Sequence, residues 1–342
     1  MQRFSIGFNG SLAFMDAIEK YRDHVAEVYF VAPAMASGRA SGGRLGAQSY
    51  TLALHQMLVR AKEWGLPTNI LFNALCVGSD YGSNRQGEKV VSILQIHGEL
   101  YNVRAATVVS PIDAQLIKRA LPDATVHASV NMFIRNPVQA REVAPFCDVL
   151  TLDRNVNRDL EMVRKIKEAT GKPIRLVANE ACVPECMNRV QHFNHLSHQQ
   201  SVGVSYYLPC VRQFQEDPAT LLKCPIIRPE DVHRYDGLVD GIRLASRIAG
   251  DMRIDLMLRA YTTGRFDGNL FDLMESGGLE SYICILRKRD GLDPYMDNAQ
   301  IPPDFHEHVT QCDKLCGDCT YCEQVASKAF RTVPYKKAEA VG

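Results

Sequence analysis

The chain has 342 residues, 46% hydrophobic and 23% charged, with 39 basic residues matched by 39 acidic ones. That size suits one large α/β domain with an appendage, and the zero net charge gives no global field for a phosphate backbone. Nucleic acid is therefore not the expected partner, and neither is a membrane. The start lacks a charged segment leading into an apolar run, and nowhere do about eighteen apolar residues follow one another, so the reading is cytoplasmic.

In chain order, short apolar runs alternate with helix-length amphipathic stretches. Strands are expected over 3–9, 25–32, 67–77, 105–110, 125–131, 148–152, 173–178 and Gly241–Leu244. Helices are expected over 12–24, 50–64, 87–100, 113–120, Pro137–Val143 and 158–170, the last stopped by Gly171. Strands that alternate with crossover helices imply a parallel sheet, and eight units match a TIM-like (β/α)8 barrel, complete or incomplete. A doubly wound open sheet is the alternative, weakened by the absence of a G-x-G-x-x-G turn or a G-x-x-x-x-G-K-[ST] loop after a strand. The glycine-rich stretch 37–45 follows the second strand. It reads as an active-site loop at the barrel's C-terminal face or as a flexible connector.

These elements place residues 1–284 in the barrel, with an insertion at about 180–230, and leave 285–342 as a cysteine-rich extension. The extension is too small for its own core unless a metal staples it.

Eight of the eleven cysteines fall into two groups. Cys182 and Cys186 follow the seventh strand, and Cys210 and Cys224 lie in the insertion after it. The second group is the run Cys312, Cys316, Cys319 and Cys322, four thiols within eleven polar residues. Reduced cysteines in such groups point to metal or redox work rather than disulfides. Dispersed ligands suit an iron–sulfur cluster better than a zinc knuckle, while the terminal run could serve a [4Fe–4S] cluster or zinc, iron–sulfur being favoured. Cys76, Cys147 and Cys284 sit in apolar, strand-like surroundings and read as core residues.

Other polar residues fall where a barrel mouth would be: Asn73, Ser129, Asn131, Arg154 and Glu180, with Arg247 after the eighth strand. Arginines there suit a carboxylate gripped in bidentate fashion. His192, His195 and His198 recur every three residues, so two of them face a metal or substrate, or all three are surface histidines. Glu180, Arg154 and His192 are the candidate catalytic groups, and Asn73, Ser129, Asn131, Arg154 and Arg247 the candidate substrate contacts. Neither a Gly-x-Ser-x-Gly elbow nor a His-Glu-x-x-His pair is present to anchor a serine hydrolase or a zincin.

Several of these stretches resemble the peptidase U32 family over about residues 3–250. They are Val28-Tyr29-Phe30 with its arginine-containing loop, Leu71-Phe72-Asn73, and His127-Ala-Ser-Val-Asn131 followed by Asn136-Pro-Val-Gln-Ala140. To these are added Val149-Leu-Thr-Leu-Asp153-Arg154, Glu180 with Cys182, and Cys224-Pro225 followed by Arg228-Pro-Glu-Asp231. The resemblance implies a TIM-like barrel with a [4Fe–4S] cluster on Cys182, Cys186, Cys210 and Cys224. It also implies oxygen-independent hydroxylation, as in ubiquinone synthesis or on RNA bases, with prephenate as a hydroxyl donor in several cases. A peptidase is the other activity carried by the family name. This chain differs in its short Cys182–Cys186 spacing, in Pro209-Cys210-Val-Arg212, in Arg243-Leu-Ala-Ser-Arg247 and in the added cysteine run.

The resulting expectation is an iron–sulfur redox enzyme acting on a small ring-containing molecule. Its second cluster would relay electrons from an external electron donor. A sister U32 protein or a second copy of the chain would complete the assembly.

Overall fold

The computed structural model describes residues 3–33, 35, 47–198, 209–247 and 249–336. The stretch 37–45 lies outside them. Eight parallel strands close into a barrel in sequence order. β1 (Phe4–Gly7) leads to α1 (Phe14–Lys20), β2 (Val25–Phe30) to α2 (Ala47–Glu63), and β3 (Thr68–Phe72) to α3 (Asn84–Tyr101). β4 (Ala105–Val108) leads to α4 (Pro111–Ala120), β5 (Thr125–Ala128) to α5 (Pro137–Val143), and β6 (Val149–Thr151) to α6 (Leu160–Thr170). β7 (Ile174–Val177) is followed by α7 (Arg189–Ser197), α8 (Pro209–Glu216) and α9 (Thr220–Lys223) before β8 (Gly241–Leu244) pairs with β1. The closed ring settles the choice between barrel and open sheet.

Local chemistry sets the helix ends. Ser110 and Asn136 cap α4 and α5, each with proline in the first turn, and Asp159 caps α6 by accepting from the Met162 amide. Gly171 ends α6 in the left-handed region at φ 62°. The expected strands run long at their C-terminal ends, because the apolar signal continues into loop residues buried over the mouth, such as Ser129 and Asn131. The insertion, expected as loop, carries three helices.

The barrel interior is a polar layer. Arg175 donates to Glu27 at 2.5 Å and to Ser5 at 3.3 Å, Thr107 donates to Asn69 at 2.9 Å, and Asn69 lies 2.9 Å from His127 Nδ1. Burial opposes ionisation of Glu27, but His127, Arg175 and Arg243 outweigh it and hold the carboxyl at about 2. Burial also pushes His127 down to about 4 against the pull of Glu27, so His127 is neutral at pH 7. At that pH the arginines keep Glu27 charged.

Beyond β8 come α10 (Asp251–Thr263) and α11 (Gly277–Asp290), then β9 (Leu292–Met296), α12 (Phe305–Gln311), α13 (Tyr321–Ala329) and β10 (Phe330–Pro334), with β9 and β10 antiparallel. The boundary read at 284/285 falls inside α11. Phe305, Val309, Val325 and Ala329 join the same apolar core as the barrel helices, so the extension packs on the barrel without a separate core.

Two core cysteines read from the sequence are placed differently. Cys147 is buried, but Cys284 is exposed and Cys76 only half-buried. The run around Cys284 is helix, not strand. Leu279, Tyr282 and Leu286 form its inward face, and Cys284 falls off it. Cys76 lies in the loop after β3 and lines a cleft.

Candidate functional site

The C-terminal ends of the strands enclose a narrow cavity of about 50 Å³. Asn73, Ser129, Asn131, Arg154, Glu180 and Arg247, all expected at the mouth from sequence, line it together. Arg154 and Glu180 are almost wholly buried and paired, with Nε and Nη2 each 2.7 Å from Oε2, and the guanidinium lies 5.3 Å from the Phe193 ring centre. Asn131 donates weakly to the Asn73 carbonyl at 3.4 Å, and its buried Oδ1 has no hydrogen-bond partner among the described residues.

Sequence reasoning missed two charged lining groups, Arg243 and Glu275. Arg243 stands 4.1 Å from the centre of the Tyr29 ring. Strand alternation from Arg247 would have found it, since 243, 245 and 247 share the inward face. Glu275 arrives by a bridge beside Glu180, its amide donating to the Asn179 carbonyl at 2.8 Å. It comes from a loop beyond the eight units, and no sequence period announces it. Three guanidiniums thus face two carboxylates, which favours an anionic guest group.

A cavity of 50 Å³ holds a few waters or one carboxylate, not a ring. Asn131 also lines an adjoining cleft of about 870 Å³, walled by Met35, Phe72, Tyr81, Phe133 and His198 among others. That volume suits a drug-sized ligand.

Behind the cavity lies the first thiol group. The Cys182–Cys186 loop is fixed by Arg189, which donates to the Val183 carbonyl at 3.1 Å and pairs with buried Asp153 at 3.4 Å. Glu185, inside that loop, has φ 45°, an uncommon conformation for a non-glycine residue. Cys210 begins α8, and Cys224 follows α9. Cys182 lies near enough to both Cys210 and Cys224 to disfavour their ionisation. Burial and then Cys182 and Cys186 push the Cys210 thiol up to about 12, and burial followed by Cys182 raises Cys224 further. The Cys210 sulfur rests on Gly278, where a Cβ would lie only 2.4 Å away. His192 is placed by this group, not in the cavity. A Cβ on Gly277 would stand 3.6 Å from its ring, while His195 occupies the last turn of α7 and His198 lines the cleft.

The terminal run forms a second group. Cys316 is coupled to Cys312 and Cys319, and Cys322 to Cys316; burial raises Cys322 to about 11. Lys314 in this run also has positive φ, 66°.

Among the described residues no three Cys, His, Asp or Glu side chains stand ready to hold a single metal ion. A four-iron cluster asks for something different, one thiolate per iron, with the sulfurs spread around a core. The two sets of four thiols match that donor set in number and chemistry.

These features define a closed (β/α)8-barrel protein with an arginine-lined cavity and a thiol group at its catalytic end. No family model matches the sequence. The chain is 28% identical over 282 residues to an "uncharacterized protease MJ1657" of Methanocaldococcus jannaschii, covering 79% of each chain. The structure titled "The Structure of the U32 Peptidase Mk0906" aligns with TM-score 0.54 and 16% identity, over 72% of this chain and 93% of that one. The chain is thus similar in sequence to a protein named as a protease, and it shares its fold with a U32 peptidase. No described helix is long and apolar enough to cross a membrane.

Proposed function

We propose that the protein is an iron–sulfur redox enzyme that hydroxylates a small ring-bearing carboxylic acid without O2. One observation supports the reading: the arginine-lined cavity shares Asn131 with a ring-sized cleft and is lined by Glu180, two residues before Cys182. The substrate carboxylate enters the cavity against Arg154, Arg243 and Arg247, while its ring stays in the cleft. Asn131 Oδ1, without a partner among the described residues, accepts a hydrogen bond from the water that supplies the oxygen or from the hydroxyl of the product. Glu180, held by Arg154, orients the guanidinium and keeps its charge compensated before substrate arrives.

Cys182, Cys186, Cys210 and Cys224 would hold a [4Fe–4S] cluster, which supplies one-electron redox chemistry. The terminal four thiols would hold a second. Replacing C–H by C–OH with oxygen from water releases two electrons and two protons. The electrons leave singly to an external one-electron carrier, so in this direction the carrier acts as acceptor.

The test is anaerobic incubation of reconstituted protein with benzoate, phenylacetate and cinnamate in 18O-labelled water, with benzyl viologen as acceptor. The expected product carries one labelled oxygen and vanishes in Arg154→Met and Cys182→Ala. Labelled product that persists in both variants contradicts the proposal.

A second reading, a U32-type peptidase, draws on the names of both relatives and on a cleft spacious enough for a few peptide residues. Peptide hydrolysis by cluster-free Cys182→Ala protein would favour it.

A further inference from the structure

The two thiol groups approach each other across one buried side chain. Arg158, just before α6, donates through Nη1 to the Leu222 carbonyl at 2.8 Å, and through Nη2 and Nε to the Ile226 carbonyl at 3.2 and 3.3 Å. Those carbonyls bracket Cys224 in sequence. On its other side the guanidinium lies 5.6 Å from the centre of the Phe305 ring of α12, in the extension. Phe305 in turn stacks on Tyr321, the neighbour of Cys322, with ring centres 6.1 Å apart, and Lys223, the neighbour of Cys224, bonds Glu323, which follows Cys322. The extension is pinned here by further contacts. Lys223 is bonded to both Asp217 and Glu323, and Lys314 donates to the Asn155 carbonyl at 3.4 Å.

The hydrogen bonds of Arg158 go to neutral carbonyls. The nearby carboxylate of Asp231 is gripped in bidentate fashion by Arg228, at 2.9 and 3.1 Å. A buried guanidinium needs opposite charge close by, and thiolate-ligated clusters on both sides would provide it. A cation placed between two such centres also favours the added electron on each.

We infer that Arg158 is a positioning residue and shared counter-charge that joins the barrel and terminal thiol groups into one electron path. This rests on the proposed iron–sulfur reading. With clusters held by Cys182, Cys186, Cys210 and Cys224 and by Cys312, Cys316, Cys319 and Cys322, one electron at a time would pass from the barrel centre, oxidising it, to the terminal centre, reducing it. A one-electron carrier protein then removes it at the exposed Cys316–Cys319 surface.

The experiment is an EPR-monitored potentiometric titration of the whole anaerobic protein, with iron and sulfide counted in each sample, on wild type, Arg158→Met and Arg158→Lys. Arg158→Met is expected to shift both midpoint potentials to more negative values with iron content retained. Arg158→Lys, which keeps the charge, should return both most of the way. Potentials that stay put in Arg158→Met, or a shift confined to one centre, would overturn the inference and leave the cluster reading standing. If Arg158→Met loses iron, the lysine variant decides, because loss of either centre's wild-type potential there refutes the shared-charge role. Wild-type protein without iron and sulfide would sink the underlying reading itself.

Discussion

Gly278→Ala examines the placement of Cys210 without touching a thiol. Gly278 is the second residue of α11, and a Cβ there would stand 2.4 Å from the Cys210 sulfur and 3.5 Å from its Cβ. Non-bonded carbons rest at ~3.5–4.0 Å, and sulfur is larger, so the thiol must retreat by more than ~1 Å. A metal–ligand bond tolerates ~0.2 Å. The backbone offers no resistance, since alanine is preferred to glycine in a helix by about 1 kcal/mol and the Ser276 cap is retained. Overpacking costs about 1–3 kcal/mol where the site cannot yield, and less if Cys210 changes rotamer. Metal-free protein should therefore lose at most about 2 kcal/mol, roughly 1–3 °C in melting temperature for a chain of this size. Iron retained by the barrel group should fall steeply in the same variant. Thermal melts of metal-free protein and iron counts after anaerobic reconstitution give the two readouts. Adding Cys210→Ala removes the clashing sulfur and should restore stability to or above that of Gly278→Ala, a coupling expected of touching residues. Full iron retention with an unchanged melt would refute the packing of Cys210 on α11 and its role as a ligand.

Other perturbations follow from the buried charges. Arg175 and Arg243 hold the Glu27 carboxyl below its unfolded value, which stabilises the fold above pH 4.5, and this is lost as pH falls towards 2. His127, buried neutral at about 4, adds a separate loss as pH falls from 6.5, so urea midpoints should drop from pH 6.5 downwards in wild type and in Glu27→Gln alike, the part of the drop that Glu27 itself causes below pH 4.5 being absent from the variant. Glu180→Ala strands Arg154 and should cost about 3–5 kcal/mol in denaturant titrations, whereas Glu180→Leu with Arg154→Met should cost less. Serine at Cys312, Cys316, Cys319 and Cys322 together should halve the iron content while leaving the barrel centre's EPR signal in place; loss of both signals would contradict two separate centres.

The barrel was legible because both faces of each strand are buried, which turns β1 to β8 into short apolar runs between amphipathic helices. Six cavity residues were legible for a related reason: residues just past strand ends converge at the mouth whatever loops follow. Glu275 was not, because its position depends on a bridge to Glu180 from a loop after the eighth strand. The inner layer of Glu27, His127 and Arg175 was hidden by the same alternation that revealed the strands, since one charged residue in an apolar run looks like an exception. Cys284 shows the opposite failure. Tyr-Ile-Cys-Ile-Leu has the composition of a strand, yet the burial of Leu279, Tyr282 and Leu286 gives it a helical period. Arg158 gave no signal at all, since its meaning comes from Leu222, Ile226 and Phe305 meeting around it.

The central claim is that two four-thiol groups each hold an iron–sulfur cluster. Anaerobic purification with iron, acid-labile sulfide and zinc quantified, joined to a Mössbauer spectrum, tests it most directly. The account predicts about eight irons and about eight sulfides per chain. Zinc without sulfide would contradict it.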